Sequence, residues 1–409
     1  MSTSHRPALA ELADPKTLPD PYPILAGLRQ ASPFAELDGA LVVVAKHADC
    51  SAALRDPNAS SDRNRSLIAG PDATRRTRRP SFLSLDPPDH TRLRRLVSKA
   101  FTPRVVARLE PRIRAITAEL LDAAAHANQL EVVSQLAYPL PVRIISEMLG
   151  VPAEDHPRFA GWSARLAHSL QPAFGLRPEE ALARAEAAQV ASDEFGEYFS
   201  ELIARRRAEP AADLLTDLIR AEDSGDTLTE NELIATCILL LVAGHETTVG
   251  LISNAILAVL RHPTQLALLQ AAPGLAAGAV EETLRYDAPV QLTGRVARGG
   301  MQVGSICAPD GALVLILLAA AGRDPAVFDD PDRFDILRSA TGHLAFAAGP
   351  HFCLGAPLAR LEATIAVEQF AHRVKAPKLR AGGLAYKPNL NLRGPERLVV
   401  DFARIKAAD

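Results

Sequence analysis

Between residues 229 and 260 the chain carries a helical apolar pattern longer than the 8–20 residues usual for a globular helix. Thr229-Glu230-Asn231-Glu232 fits a capping box, with Thr229 as N-cap and Glu232 at the third helical position. The pattern ends before His262-Pro263, a helix stop. At ~1.5 Å per residue such a helix is roughly 50 Å long, enough to cross the whole molecule. Its middle is apolar on most faces, which predicts burial. The most apolar run, 233–244, is shorter than the ~20 residues that span a bilayer, and His245 and Glu246 follow it at once. The reading is therefore a core helix and no membrane anchor. The first fifteen or so residues lack an apolar run of signal-peptide length.

Around this axis the dominant pattern from about 89 to 286 is helical, and a last helix follows Gly355 over about 356–373. The start of the chain is Pro-rich and irregular up to Phe34. Residues 34–44 read as a hairpin with Asp38-Gly39 as a two-residue turn. Residues 56–88, dense in Ser, Arg, Pro and Asp, read as a long mobile loop. After Pro289, short strands at 293–297 and 312–317 alternate with Gly and Pro turns. The fold class is thus mainly α with a smaller β-rich portion built from both ends of the chain: about 34–45, 290–320 and C-terminal strands. At 409 residues, two lobes or one large domain are both open, and either has a core large enough to enclose a cofactor and a substrate.

A net charge of −3 gives no electrostatic case for nucleic acid. The four cysteines, Cys50, Cys237, Cys307 and Cys353, lie far apart without a CxxC pair. That spacing argues against a zinc site or disulfide scaffold and suits a reducing cytoplasm, where the protein is expected. Cys353 stands out. It lies between glycine-bearing turns, immediately before the last helix, in FAAGPHFCLGAPLAR. A thiolate there sits near the positive end of a helix dipole and can accept backbone N–H bonds. Gly349 and Gly355 let the backbone fold closely round the sulfur, and Phe346 can cover it.

This loop resembles the cysteine-ligand loop of the cytochrome P-450 family, F-G-x-G-x-H/R-x-C-x-G. Phe346, Gly349, His351, Cys353 and Gly355 fall in place, and Ala347 stands where the family usually has glycine. Further segments are similar: Ala243-Gly244-His245-Glu246-Thr247 to A/G-G-x-D/E-T, His90…Arg94 to W/H-x-x-x-R, Glu282…Arg285 to E-x-x-R, and 322–328 to A-N-R-D-P-x-x-F with Gly322 in the Asn position. The resemblance runs from about residue 20 to the C-terminus. It implies one domain over 1–409, a prism-like helical lobe whose long central helix crosses a haem b, with the Cys353 thiolate as axial iron ligand.

The motif on the long helix has its own chemistry. Splitting dioxygen to insert one atom needs two protons delivered into a dry pocket, which the Thr247 hydroxyl can relay and Glu246 can connect to solvent. Small residues at Ala243 and Gly244 let the helix pass close to a flat macrocycle. Leu239, Val242, Ala243, Glu246 and Thr247 share one helix face. The plainer alternative is a Thr bonded back to its own helix beside a Glu in an internal ion pair. The resemblance further implies propionate partners at His90, Arg94, Arg295 and His351, Arg92 and Arg95 being read as surface charge. It also implies a bracing network of Glu282, Arg285 and Arg333. Substrate-wall residues would be Leu239, Val242, Ala243, Val290, Leu292 and Thr293, with a roof from Phe82, Leu83 and 167–174, suited to an apolar organic substrate.

Nothing resembles a flavin or iron–sulfur domain, and no Gly-rich dinucleotide loop is present. Electrons are expected from a small acidic ferredoxin with a separate NAD(P)H-dependent reductase, docking on the cysteine side with Arg360 as a basic contact. The expected activity is a haem-thiolate monooxygenase that hydroxylates or epoxidises its substrate with dioxygen. A peroxide-driven peroxygenase and a non-catalytic haem sensor are the alternatives, and the Glu246-Thr247 pair favours the first.

Overall fold

In the computed structural model the described residues are 6–12, 14–68, 80–169, 177–223 and 228–407. The capping box forms as its residues dictate. Thr229 Oγ1 accepts the Glu232 N–H at 3.3 Å, and the Glu232 carboxylate accepts the Thr229 N–H at 2.8 Å. The helix it opens runs Glu230–Arg261 and ends where His262 donates back to the Ala258 carbonyl ahead of Pro263. Among the described residues this is the one helix long and apolar enough to cross a membrane, and 72% of its most apolar window is buried inside the protein. Helices Pro139–Leu149, Pro178–Ala208, Ala276–Tyr286 and Ala356–Arg373 pack round it and share one apolar core with it.

The β-rich part joins the two ends of the chain, as expected. Across the main sheet the strands run Phe34–Glu36, Leu41–Val44, Leu313–Ile316, Thr293–Ala297 and Ala59–Ser60. Leu41–Val44 lies parallel to Leu313–Ile316, and the other pairs are antiparallel. The first hairpin differs from the two-residue turn predicted. Its strands pair Glu36 with Leu41, and the tip holds Leu37, Asp38 and Gly39 at positive φ in a 3₁₀ turn. Segment 56–88 is not wholly loop either, since Ala59–Ser60 is an edge strand and Arg63–Arg65 and Phe82–Ser84 are 3₁₀ turns. Residues 69–79 of it lie outside the described residues.

One strand was not anticipated. Gln129–Glu131, inside the stretch read as helical, pairs with Pro395–Asp401, which in turn pairs with Lys378–Tyr386. A π-helical stretch, Val133–Ala137, follows it and leads into Pro139–Leu149. Three residues are too short to show a period, and their partner lies more than 260 residues away.

Candidate active site

The cysteine loop is held from both sides. Cys353 N–H donates to the Phe346 carbonyl at 3.0 Å, and the Cys353 carbonyl accepts from Ala356. The Ala356–Arg373 helix begins two residues beyond the sulfur's neighbour, Leu354. Burial pushes the thiol up, while the N–H groups of Gly355 and Ala356 and the nearby Arg94 and Arg360 pull it down; burial outweighs them. Gly349 is required twice over. Its φ is +70°, and a Cβ there would stand 2.4 Å from the Leu54 carbonyl oxygen. Gly355 is different: φ is ordinary, and an added Cβ meets no protein atom within 4 Å. Ala347 adopts φ +57°, the left-handed conformation for which the family's glycine is suited, and carries the strain with a Cβ in place.

Beside the loop the structure gathers the four predicted propionate partners. His90, on helix Asp89–Ser98, and His351, in the loop, have ring centroids 4.0 Å apart. Arg94 donates to the Phe352 carbonyl, tying its helix to the loop. Arg295, on the sheet strand, is buried and among the described residues donates to Thr293 Oγ1 and the Gly294 carbonyl. Burial first, then the neighbouring His90, Arg295 and Arg94, push His351 down to about 3. Burial and then Arg63 push Arg295 down to about 10. Arg63 was not anticipated, because its turn lies in the segment read as loop. The acidic group facing this cluster is Asp86, held by Ser60 Oγ at 2.5 Å and the Ser61 N–H at 2.8 Å.

These residues fit a haem. Three guanidinium groups against one carboxylate leave a surplus positive charge, which two propionates would neutralise. Both ring nitrogens of His90, only 2% exposed, lack a partner among the described residues. The room beside Gly355 matches a flat ligand on the sulfur.

The central helix shows the opposing wall. From Leu233 to Val259 it is buried except at Leu239, Ala243, Gly244, Glu246 and Thr247. Leu239, Ala243, Glu246 and Thr247 fall at i, i+4, i+7 and i+8, so one face opens onto an interior space. A Cβ on Gly244 would come 3.1 Å from Ile145, so its smallness admits helix Pro139–Leu149. Thr247 Oγ1 donates to the Ala243 carbonyl at 3.1 Å, and Glu246 pairs with Lys387 at 3.2 Å. Both contacts of the plainer alternative are therefore present. They leave the Thr247 oxygen lone pairs free, and burial, the largest influence on Glu246, is outweighed by His245 and Lys387, which hold its carboxyl down at about 2. Lys387 could not be found from sequence, standing 141 residues from its partner in a connection with no motif.

Two further expectations need correction. Glu282 and Arg285 form a fully buried pair at 2.8 Å, as predicted, but Arg333 does not complete it. The Arg333 guanidinium turns outward to Asp335, and its backbone carbonyl accepts from Arg285. Arg338, five residues on and largely buried, donates to Glu282 instead at 3.2 Å. Leu292 does not reach the interior space. It packs with Leu25 and Leu317 under the N-terminal helices, whereas Val242 and Phe82 belong to the helical core. Val290 is half-buried and bridges to Leu392, Thr293 opens its strand, and Leu83 is exposed. Of the predicted roof, residues 170–174 lie outside the described residues. Arg360 binds Glu281 at 2.5 Å and lies over the Phe346 ring at 4.5 Å, so its charge is already paired.

Comparison with known proteins bears on all of this. A family model described as Cytochrome P450 matches residues 38–272 and 274–376. Cytochrome P450 107B1 of Saccharopolyspora erythraea is 45% identical over 370 residues, covering 88% of each chain. The cytochrome P450 monooxygenase PikC of Streptomyces venezuelae is 41% identical over 400 residues, covering 95% of this chain and 92% of PikC. The ligand-free crystal structure of Mycobacterium smegmatis CYP164A2 superposes with a TM-score of 0.91 at 47% identity, covering 97% of this chain and 100% of that one. With the family model spanning most of its length and relatives this similar, the chain belongs to the cytochrome P450 family and is a monooxygenase whose cofactor is haem b on a cysteine thiolate.

Proposed function

We propose that Cys353 is the thiolate ligand, that His90, Arg94, Arg295, His351 and Arg63 hold the propionates, and that the whole chain works as one catalytic domain oxidising an apolar organic substrate. The observation that carries this reading is the buried, partnerless His90 within a cluster of surplus cations beside the Cys353 loop. The bound haem supplies dioxygen reduction and oxygen-atom transfer, so that RH + O₂ + 2 e⁻ + 2 H⁺ gives ROH + H₂O. This chain supplies the setting. The Cys353 loop fixes the sulfur with backbone N–H bonds and Phe346 shields it. Leu239 and Ala243 give the cavity an apolar wall that excludes water from the reacting bond. The Thr247 oxygen, whose own proton goes to the Ala243 carbonyl, offers its lone pairs to hold a water that passes protons into the cavity. Glu246 connects Thr247 to the outside.

Electrons come from a ferredoxin-type donor with its own reductase. What supports this is a hollow of about 420 Å³ on the outer side of the cysteine loop, lined by Arg55, His343, Phe346, Gly349, Phe352 and Arg360. With Arg360 paired to Glu281, Arg55 is the cation it offers an acidic partner.

The test is the carbon monoxide difference spectrum of the reduced holoprotein. A strongly red-shifted Soret band is expected, and its loss in Cys353→His. A histidine-type spectrum in the wild type would overturn the ligand assignment.

A further inference from the structure

The Glu246 carboxylate is the meeting point of three elements. On its own helix, His245 donates Nδ1–H to the Leu241 carbonyl at 2.7 Å, and its Nε2 lies 3.7 Å from Glu246 Oε1. From the start of helix Pro139–Leu149, the Tyr138 ring meets His245 edge-on at 5.7 Å, and its hydroxyl feels the Glu246 charge. From the connection between the last two strands of the C-terminal sheet, Lys387 Nζ donates to Glu246 Oε2 at 3.2 Å. His245 Nε2 and the Tyr138 hydroxyl are buried and have no hydrogen-bond partner among the described residues. Two unsatisfied polar atoms beside a carboxylate make a place for water. Exposure grades along the chain of groups: His245 is 1% exposed, Glu246 12% and Lys387 28% at their side chains. Lys387 is thus the member that touches solvent, and Thr247, the next residue on the helix, faces the interior space.

We propose that Lys387 is the positioning residue of a proton-entry route, pairing with Glu246 so that the carboxylate stays at the junction between the surface, the His245–Tyr138 water site and Thr247. The inference rests on the monooxygenase reading above. Two protons enter per turnover and leave in ROH and H₂O, with the electrons coming from the ferredoxin-type donor. Lys387 sets how fast those protons arrive. Thr247, at the cavity, decides whether they end in water and product or in hydrogen peroxide, by O₂ + 2 e⁻ + 2 H⁺ giving H₂O₂. The lysine backbone is anchored independently, its N–H donating to the Gly394 carbonyl at 3.2 Å, so a side-chain change leaves the connection in place.

The titratable groups facing the carboxylate are His245, Tyr138 and Lys387. Removing the lysine leaves burial, which raises the Glu246 carboxyl, opposed by His245 alone. The Glu246 carboxyl should then titrate higher than in the wild type, and turnover should gain a dependence on pH from it.

The experiment uses haem-loaded wild type, Lys387→Met, Lys387→Arg and Thr247→Ala with a surrogate ferredoxin and reductase and any substrate the wild type turns over. For Lys387→Met we expect kcat to fall about tenfold, less than a direct acid–base group would cost. Its solvent deuterium isotope effect should be larger, a new pH dependence should appear on the rate, and the fraction of electrons reaching product should be unchanged. Lys387→Arg should restore rate and pH profile. Thr247→Ala should instead release hydrogen peroxide at the expense of product. If Lys387→Met keeps the wild-type rate, isotope effect and pH profile, or if it is slowed but Lys387→Arg is slowed equally, the lysine has no role in proton entry. Fully coupled turnover in Thr247→Ala would strike at the reading beneath, independently of Lys387.

Discussion

At the scale of single residues, the two glycines flanking Cys353 separate what the fold needs from what the cofactor needs. Gly349 is bound by its own protein: positive φ and a carbonyl oxygen 2.4 Å from any Cβ. Gly349→Ala has to move the helix carrying Leu54 or the loop, and a strained backbone plus an overpacked contact costs on the order of 2–4 kcal/mol. Gly355 faces no such neighbour, and its ordinary φ is one that alanine adopts without strain. The expected outcome is that Gly349→Ala lowers the melting temperature of the haem-free and haem-loaded protein alike. Gly355→Ala should leave the haem-free protein as stable as wild type and lose haem faster to an acceptor protein. Thermal melts in both states, with the rate of haem transfer, check the pair; a Gly355→Ala protein destabilised without haem would undo the distinction.

At the scale of elements, the brace behind the cysteine loop hangs on one buried carboxylate. Glu282 receives Arg285, Arg338 and the Asp335 N–H. Arg338→Ala removes a largely buried charge-assisted bond, costing about 1.5–3 kcal/mol. Arg333→Ala removes an exposed pair with Asp335 and should stay within about 0.5 kcal/mol. Denaturant unfolding of the two variants measures this, and an Arg333→Ala loss equal to or above that of Arg338→Ala would restore the expectation drawn from the motif.

The helix after the cysteine carries a second buried acid, Glu362, whose carboxyl burial alone holds well above its ordinary 4.5 and whose Oε2 has no partner. Because the folded value is the higher one, this group's contribution to stability is whole below about 4.5 and drains away as pH rises toward the folded value. Glu362→Gln should therefore gain stability over wild type progressively from pH 5 to pH 8 and little at pH 4. Parallel melting curves at all pH values would mean Glu362 ionises alike in both states.

These elements also mark what the sequence can carry. The central helix was legible to within a residue at each end because capping box, apolar period and His262-Pro263 all agree locally. The Glu282–Arg285 pair was legible for the same reason, three residues apart on one helix. Arg338 over Arg333, Lys387 on Glu246 and Gln129–Glu131 in the C-terminal sheet were not, since each depends on which way a loop or side chain turns once distant segments have met. Leu292 stands in the connection just before the Thr293–Ala297 strand, and nothing local in the sequence says which way its side chain turns.

At the scale of the molecule, the site is assembled from segments far apart in the chain: helix Asp89–Ser98, the strand of Arg295, the loop of Cys353 and the middle of the central helix. These supports differ in what holds them. The Arg295 strand has hydrogen-bonded neighbours on both edges of the five-stranded sheet. The central helix from Val249 to Val259 is buried throughout, and Gly250 brings it against Pro289 and Gly394. Helix Asp89–Ser98 and the loop 346–355 are joined to each other by Arg94 on the Phe352 carbonyl, and their His90 and His351 face the cations Arg295 and Arg63 that two propionates would satisfy.

Without haem those cations repel across a cavity that one carboxylate cannot balance, and like charges at short range in partly dry surroundings cost several kcal/mol. Opening should therefore be local. Hydrogen exchange followed on haem-free and haem-loaded protein is expected to show protection lost in 82–98 and 346–356. Protection should be retained at 249–259 and along 293–297, where packing and sheet bonds owe nothing to the cofactor. A uniform loss over all four segments would instead make the haem part of one cooperative core, and the division between a self-supporting scaffold and a cofactor-ordered lip would have to be given up.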